Sequence, residues 1–295
     1  MFPTSIIIAT LDRPAPLALV LRCLAAQTCP PLELIVAAAG DAAATERVVA
    51  AAHLPFPWRV LACAEKSSAR QRNAAAALAR GDIVAFLDDD IEFGPELLAE
   101  TLPHFAASTT GAVSPRIANS DRPAPGRFTR AYYRLQAGYA HPDFGAKLFG
   151  CGINCFPVFA PAQTTPIRAD WLPSTCLFVR ADLFRAERFP DFTGYSFAED
   201  VHLTARLARR SHLYFLATPE LLHHSAPSEF KANLAALTAG KLHNMAVVAR
   251  DVQGLTGWAL AWRWQAHRLF LTLSLLARRP ARWPDELRGV WRARR

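Results

Sequence analysis

The sequence predicts an α/β fold: a mostly parallel sheet flanked by helices on both faces. Two observations predict it. Short apolar runs, several rich in β-branched residues, alternate with segments of helical periodicity, and parallel strands need such crossover connections. The runs are apolar throughout rather than alternating, which marks strands covered on both sides. At 295 residues the chain suffices for one large domain or two modest ones of ~100–200 residues each.

The elements follow in order. Residues 5–10 (SIIIAT) read as a buried strand. Pro14 and Pro16 precede a helix with Leu17, Val20, Leu21 and Leu24 at helical spacing; proline is tolerated at a helix start because its missing N–H had no partner there. Residues 32–39 (LELIVAAA) form a second strand, 42–52 a helix, and Arg59 to Cys63 a shorter third strand. Ser67 or Ser68 caps a helix running through Ala79, with Gly81 as its stop. Residues 82–87 (DIVAFL) are a further buried strand, ending in Asp88, Asp89 and Asp90, and Pro95 opens a helix to about Ala107. From Ser114 to Asp170 the periodicity weakens, and irregular structure shaping a site is expected. Order returns with Trp171 to Val179, a helix from Glu199 to Arg210, and a strand over 212–218 (HLYFLAT).

Composition excludes several classes. Hydrophobic residues make up 52% and charged residues 20%, too apolar for a disordered chain. No run of eighteen uncharged apolar residues is present, and the opening MFPTSIIIATLDRP has neither the basic leader nor the long apolar run of a secretory signal. Of six cysteines, only Cys151 and Cys155 are close, and a lone C-x-x-x-C lacks a second ligand pair for zinc. Reduced thiols and a cytoplasmic location are the expectation. The net charge is +8, from 33 basic and 25 acidic residues; seven arginines from Arg278 to Arg295, against Asp285 and Glu286, carry +5 of it. Such a tail suits an anionic surface. With no reading module and no basic stripe on the body, nucleic acid is not an expected partner.

The acidic triplet is the first chemistry-bearing feature. Consecutive carboxylates at a buried strand end repel one another, and a divalent cation relieves that cost. Side chains two apart in an extended segment share a side, so Asp88 and Asp90 can address one ion. In an open sheet of this class, ligands bind beyond the carboxyl ends of strands, where the triplet sits. The second feature is Glu199–Asp200, a carboxylate pair opening a helix after an aromatic stretch, 190–197 (PDFTGYSF). Alone, the pair reads more readily as a favourable interaction with the helix dipole, and only its combination with the other features points to chemistry.

Four stretches, TSIIIATLDRP, ARGDIVAFLDDDIE, WLPSTCLFVRADLF and FAEDVHLTARLARR, together resemble the ordered signatures of family 2 glycosyltransferases of the GT-A fold, over roughly residues 4–225. The resemblance implies inverting transfer of a sugar from a nucleoside-diphosphate donor to an acceptor hydroxyl, with a divalent cation, Mn2+ or Mg2+, bridging the diphosphate. Asp88 and Asp90 match the D-x-D of that family, Asp90 as direct metal ligand and Asp88 near the donor ribose and the metal, with Asp89 between them as a further donor contact. Asp200 matches its general base, with Glu199 positioning the loop or the acceptor. A carboxylate at a helix start should have a low pKa. Thr10 and the following Leu11, Asp12 and Arg13 lie where the family's first loop meets the nucleoside. Lys66, Arg70 and Arg72 lie near the start of the next helix, and Lys66 and Arg70 are put forward as donor contacts. Asn73 matches a recurrent asparagine. Of the two histidines in TPELLHHSAPS, His224 is put forward over His223 as a metal or diphosphate neighbour, with a structural histidine as the other reading. Trp171 would lie beside the acceptor, either stacking on a sugar or filling the core.

One departure bears on the donor. Where the family has a base-reading aspartate after the second strand, this chain has Ala37, Ala38 and Ala39, and Asp41 is the nearest acid to replace it. Rival readings are a nucleotidyltransferase using an aspartate-bound metal, and a non-catalytic nucleotide-sugar-binding relative.

The expected division is a transferase domain over 1–245, its nucleotide-binding half about 1–113 and its acceptor-side half about 114–245, followed by an amphipathic helix and basic tail over 246–295. In 255–276 (LTGWALAWRWQAHRLFLTLSLL), Arg263, His267 and Arg268 share one helical face, with apolar residues around much of the remainder. Mid-span charges disfavour crossing a bilayer, and a helix lying in the interface of an anionic membrane is the expectation; packing on the domain is the other reading. A membrane helix would suit a lipid-linked or membrane-proximal acceptor; a glycan is the other acceptor class expected.

Overall fold

The computed structural model describes residues 2–121, 123–160, 162–192, 197–224 and 233–294. Part of the aromatic stretch before Glu199 (193–196), the residues after His224 (225–232) and Arg295 lie outside the described residues.

The first half alternates as expected: β1 (Thr4–Leu11), α1 (Pro14–Ala25), β2 (Glu33–Ala39), α2 (Ala42–Ala51), β3 (Trp58–Cys63), α3 (Ser68–Ala76), β4 (Ile83–Leu87), β5 (Ile91–Phe93) and α4 (Leu97–Thr101). Next come β6 (Thr110–Ile117), α5 (Arg127–Ala137), the hairpin β7 (Leu148–Phe149) and β8 (Ile153–Asn154), β9 (Ile167–Ala169), β10 (Cys176–Arg180), α6 (Ala181–Ala186), α7 (Glu199–Leu207) and β11 (His212–His223). Three helices close the chain: α8 (Leu234–Asp251), α9 (Gly257–Arg278) and α10 (Trp283–Arg292).

A nine-stranded sheet runs in the order β3-β2-β1-β4-β10-β6-β11-β5, with β9 also on β11. Strands β1, β2, β3, β4, β6 and β11 run one way, and β5, β9 and β10 the other. The triple isoleucine of β1 shows how two-sided burial is encoded. Ile7 points into one core layer with Ile35 and Phe86, while Ile6 and Ile8 point into the other with Leu17, Leu21 and Leu34. Each such side chain contributes ~1.5–3 kcal/mol when fully buried.

Several elements differ from the sequence reading. The helix after Pro95 is α-helical only over Leu97–Thr101 and continues as a 3-10 turn over Leu102–Ala106, because Pro103 cannot donate the next α-type bond. Helix α3 ends at Ala76, short of Ala79. Gly81 instead marks a close approach, since a Cβ there would lie 2.6 Å from the backbone N of Ser5. The stretch from Ser114 to Asp170 is more ordered than its periodicity suggests, holding the end of β6, α5, a hairpin and β9.

The expected boundary between residues 245 and 246 falls inside α8, which continues unbroken to Asp251. A third core layer joins Phe144, Phe149, Cys151 and Ile153 to Leu242 and Ala246 of α8, Leu260 and Trp264 of α9, and Val290 of α10. The C-terminal helices are therefore packed onto the 144–153 region, and most of the basic tail is a helix. Its Gly289 lies so close to α8 that a Cβ would sit 2.5 Å from the Ala235 carbonyl oxygen. All six cysteines are free thiols. Among the described residues no helix is long and apolar enough to cross a membrane.

Candidate active site

Strand β4 delivers the acidic triplet. Its last residue, Leu87, pairs with Cys176 of β10, and the Asp88 N–H donates to the Thr175 carbonyl at 3.0 Å. The chain turns at Asp89 and Asp90 into β5, which pairs antiparallel with the end of β11, placing His223 opposite Ile91. This register decides between the two histidines. His223 Nε2 lies 3.1 Å from Asp90 Oδ1 and 3.9 Å from Asp88 Oδ2. His224 projects to the other side of the strand and meets Glu92 at 2.9 Å. Of the two, His223 therefore faces Asp88 and Asp90, while His224, the one put forward from the sequence, faces Glu92, as the period-two geometry of a strand requires. Asn119 holds the His223 backbone on both sides, accepting from its N–H at 3.0 Å and donating to its carbonyl at 2.9 Å.

Two arginines pair with the three aspartates. Arg13 donates to Asp89 at 2.5 Å and to Asp90 Oδ2 at 2.7 Å. Arg72 donates to Asp88 Oδ1 at 2.6 Å. Asp89 also accepts from the Thr10 hydroxyl at 2.6 Å and is buried. Desolvation pushes its carboxyl up to about 6, against the lowering effects of the Thr10 hydroxyl and Arg13. Asp89 and Thr10 thus anchor the turn from within.

A divalent cation fits what remains. One oxygen from each of Asp88 and Asp90, together with a ring nitrogen of His223, forms a set of atoms all within 4.8 Å of one another. Two hard oxygens and one imidazole suit Mg2+ or Mn2+.

The second carboxylate group comes from the N-terminus of α7. Glu199 is buried, and Arg72 Nη1 lies 3.5 Å from its Oε1. Arg72, itself 5% exposed, therefore bridges the triplet and the Glu199–Asp200 pair, so the two carboxylate groups lie side by side. Asp200 accepts from the N–H groups of Val201 at 2.7 Å and Ser174 at 3.2 Å. Its neighbour Thr204 ties Leu172 to the same helix, accepting from the Leu172 N–H at 2.9 Å. The low pKa expected at a helix start does not hold. Desolvation raises both carboxyls and outweighs the backbone N–H bonds and Arg72, with Asp200 adding its charge to the rise at Glu199.

The donor-side expectations separate. Asp12, in a left-handed conformation (φ 49°), accepts from the Asp41 N–H at 2.8 Å, locking together the loops after β1 and β2. Asp41 caps α2, accepting from the Ala44 N–H at 2.8 Å. Ala37, Ala38 and Ala39 are buried in β2, and Gln71 binds the Ala37 and Thr10 carbonyls at 2.7 and 2.9 Å. Lys66 is exposed before α3. Arg70 is committed to Glu65 and Asp191, and Arg72 reaches the site in its place. Asn73 clamps both backbone groups of Phe189. Trp171 is a core residue, 1% exposed, with its indole N–H on the Cys155 carbonyl at 3.1 Å and its ring edge-on to Phe156 and Phe215; it has no face free for a sugar.

A sequence profile described as glycosyl transferase family 2 matches residues 5–159. No curated protein matches the chain. Among solved structures, S. aureus TarS 1–349 in complex with UDP-GlcNAc is similar at a TM-score of 0.59 and 16% identity, covering 97% of this chain and 79% of that one. The mannosyltransferase PcManGT from Pyrobaculum calidifontis, in complex with GDP-Man and Mn2+, is similar at 0.55 and 16%, covering 99% and 85%. At these identities the likeness is one of fold.

Proposed function

Because the chain belongs to glycosyl transferase family 2 and has the GT-A fold, we propose that this glycosyltransferase moves a sugar from a nucleoside-diphosphate donor to an acceptor hydroxyl with inversion. The observation that carries this reading is the bridge of Arg72 between Asp88 and Glu199, which joins a candidate cation-binding triplet to the helix start that carries a candidate base.

Asp88, Asp90 and His223 would hold the cation, which when bound neutralises charge on the departing diphosphate. Asp200 accepts the proton of the acceptor hydroxyl as that oxygen attacks the anomeric carbon and the bond to the diphosphate breaks. Its raised pKa makes it a stronger base than an ordinary carboxylate. Two backbone N–H groups hold its oxygens in place. A single displacement of this kind inverts the anomeric centre. Arg72 balances the charges of Asp88 and Glu199. Arg13 holds Asp89 and one oxygen of Asp90, leaving the other oxygen on the His223 side. The loop of Asp12 and Asp41 lines the nucleoside side, with Thr10 bonded to Asp89 within the fold.

We place the acceptor, a glycan or a lipid-linked hydroxyl of surface polysaccharide or glycolipid synthesis, at an anionic membrane surface. Six free thiols support a reducing, cytoplasmic location.

The test is a thermal-shift panel of nucleoside diphosphates and their sugars, with and without Mn2+, on wild type and two variants. The wild type should be stabilised by one diphosphate only when Mn2+ is present. Asp90→Ala should lose that stabilisation. Asp200→Asn should keep it and lose transfer by about 10²–10⁴-fold, the usual contribution of a general base. Full turnover by Asp200→Asn would overturn the assignment of the base; stabilisation of Asp90→Ala equal to wild type would overturn that of the cation site.

A further inference from the structure

The sequence reading put Arg263, His267 and Arg268 on one polar face of the C-terminal helix. The structure turns them inward. His267 is 7% exposed, with its Nδ1 2.6 Å from the Tyr132 hydroxyl of α5. Arg263 donates to the Gln136 carbonyl at 3.1 Å, and Arg268 to the Trp291 carbonyl of α10 at 3.0 Å. The side of α9 left to solvent is the apolar side. Trp258, Trp262, Gln265, Leu269, Leu273 and Leu276 recur every three or four residues and fall within about 80° of arc at ~100° per residue. Trp258 is 80% exposed, and Leu269 and Leu273 are more than half exposed. No charged residue interrupts this stripe.

The neighbours extend it. On one flank, Phe270 stacks on Tyr132 with centroids 3.9 Å apart. Tyr132 borders the side of α5 that presents exposed Phe128 and Leu135. On the other flank, half-exposed Trp291 donates to the Thr272 hydroxyl at 3.2 Å. The rim is cationic. Arg127, Arg130 and Arg134 are exposed on α5, Arg279 is exposed at the end of α9, and Arg292 is exposed beside Trp291 on α10. The acid Asp285 is engaged by Arg282 and Arg288.

We propose that this face, the exposed stripe of α9 with its flanks on α5 and α10, docks the enzyme onto a bilayer bearing anionic headgroups. Exposed apolar patches rimmed by polar groups mark interaction surfaces. A tryptophan–leucine stripe flanked by arginines matches the apolar and anionic layers of a membrane interface. A second copy of the chain fits less well, because pairing the stripes brings two arginine rims together. The inference deepens the proposed membrane-proximal acceptor and rests on that part of the reading alone. The helical module also touches the segment leading into α7, since Asn244 of α8 donates to the Phe197 carbonyl, two residues before Glu199, at 2.9 Å.

The experiment is co-sedimentation of the full chain with vesicles of phosphatidylglycerol and phosphatidylcholine, and with phosphatidylcholine alone. Wild type should sediment with the anionic vesicles and much less with the neutral ones. The pair Leu269→Glu and Leu273→Glu should weaken this by at least about tenfold, and Trp258→Ser by less, since charge in the apolar layer costs more than lost apolar contact. Nucleoside-diphosphate stabilisation with Mn2+, measured on the same samples, reports folding and the transfer site separately. Its loss in wild type with vesicle binding intact would count against the transferase reading and leave docking standing. Equal sedimentation of wild type and the folded double variant would overturn the proposal. So would a wild type that stays in the supernatant, or one whose only response to the substitutions is to change from dimer to monomer without vesicles.

Discussion

Arg72 is the residue on which the site turns, and Arg70, two positions earlier, is the one its sequence context favoured. Both are polar, and both lie on a nine-residue helix with little apolar contrast between its faces. They are about 200° apart around the axis, and only the packing of α3 against β1 and β2 decides which of them meets Asp88 and Glu199. The same holds for His223 and His224, where the pairing of β5 with β11 selects one. The carboxylates were legible because three in a row at the end of a buried strand demand an explanation; the cations that answer them were not, because either of two neighbouring arginines could. The charge of Arg72 lowers the pKa of both Glu199 and Asp200. In Arg72→Met both carboxyls should rise further, so the pair binds protons to higher pH and the base is lost sooner as pH falls. The acid limb of kcat/KM should therefore move to higher pH than in wild type, with a larger loss of rate at acid than at alkaline pH. Transfer rates across pH, with donor saturating, check this; an acid limb that stays in place would mean that Arg72 does not act on the base.

At the scale of elements, the strands of the first half were readable because their side chains are apolar on both faces, as in β1, β2 and β4. Strand β6 and helix α5 escaped for physical reasons. β6 carries Gly111 and Pro115, which weaken a strand signal. α5 turns Tyr132, Tyr133 and Gln136 toward its neighbours, side chains that score as polar or mixed although they bury. The hairpin between β7 and β8 is pinned by another unread feature. Gly152 has φ +83°, and a Cβ there would lie 2.2 Å from the Met245 carbonyl oxygen of α8. Gly152→Ala should cost about 2–3 kcal/mol through strain and overpacking. Gly94→Ala, with nothing within 4 Å of its Cβ, should change stability by less than about 0.5 kcal/mol. Urea denaturation midpoints of the two variants against wild type make the comparison, and equal midpoints would show that the hairpin does not rest on α8.

For the whole molecule, the consequence is that the C-terminal helices belong to the fold of the site. A tryptophan-rich helix followed by arginines looks separable in sequence because its two faces differ little in composition: Leu260 and Trp264 are buried while Trp258 and Leu269 are exposed. Which face docks is set by Phe149, Cys151 and Ile153, more than a hundred residues earlier. Deleting everything after Val252 would remove α9 and α10 and expose that third core layer to water. The two layers on either side of the sheet would remain covered, since they are built mostly from residues before 220. The truncated chain should therefore melt earlier and exchange amide hydrogens quickly over 144–153 and α8, while β1, β2 and β4 keep their protection. Because α8 also holds the Phe197 carbonyl just before Glu199, its loosening should reduce transfer more than nucleotide binding. Hydrogen exchange read by mass spectrometry, beside a nucleoside-diphosphate thermal shift, separates these effects. Unchanged protection over 144–153 would mean that the C-terminal helices are an appendage after all.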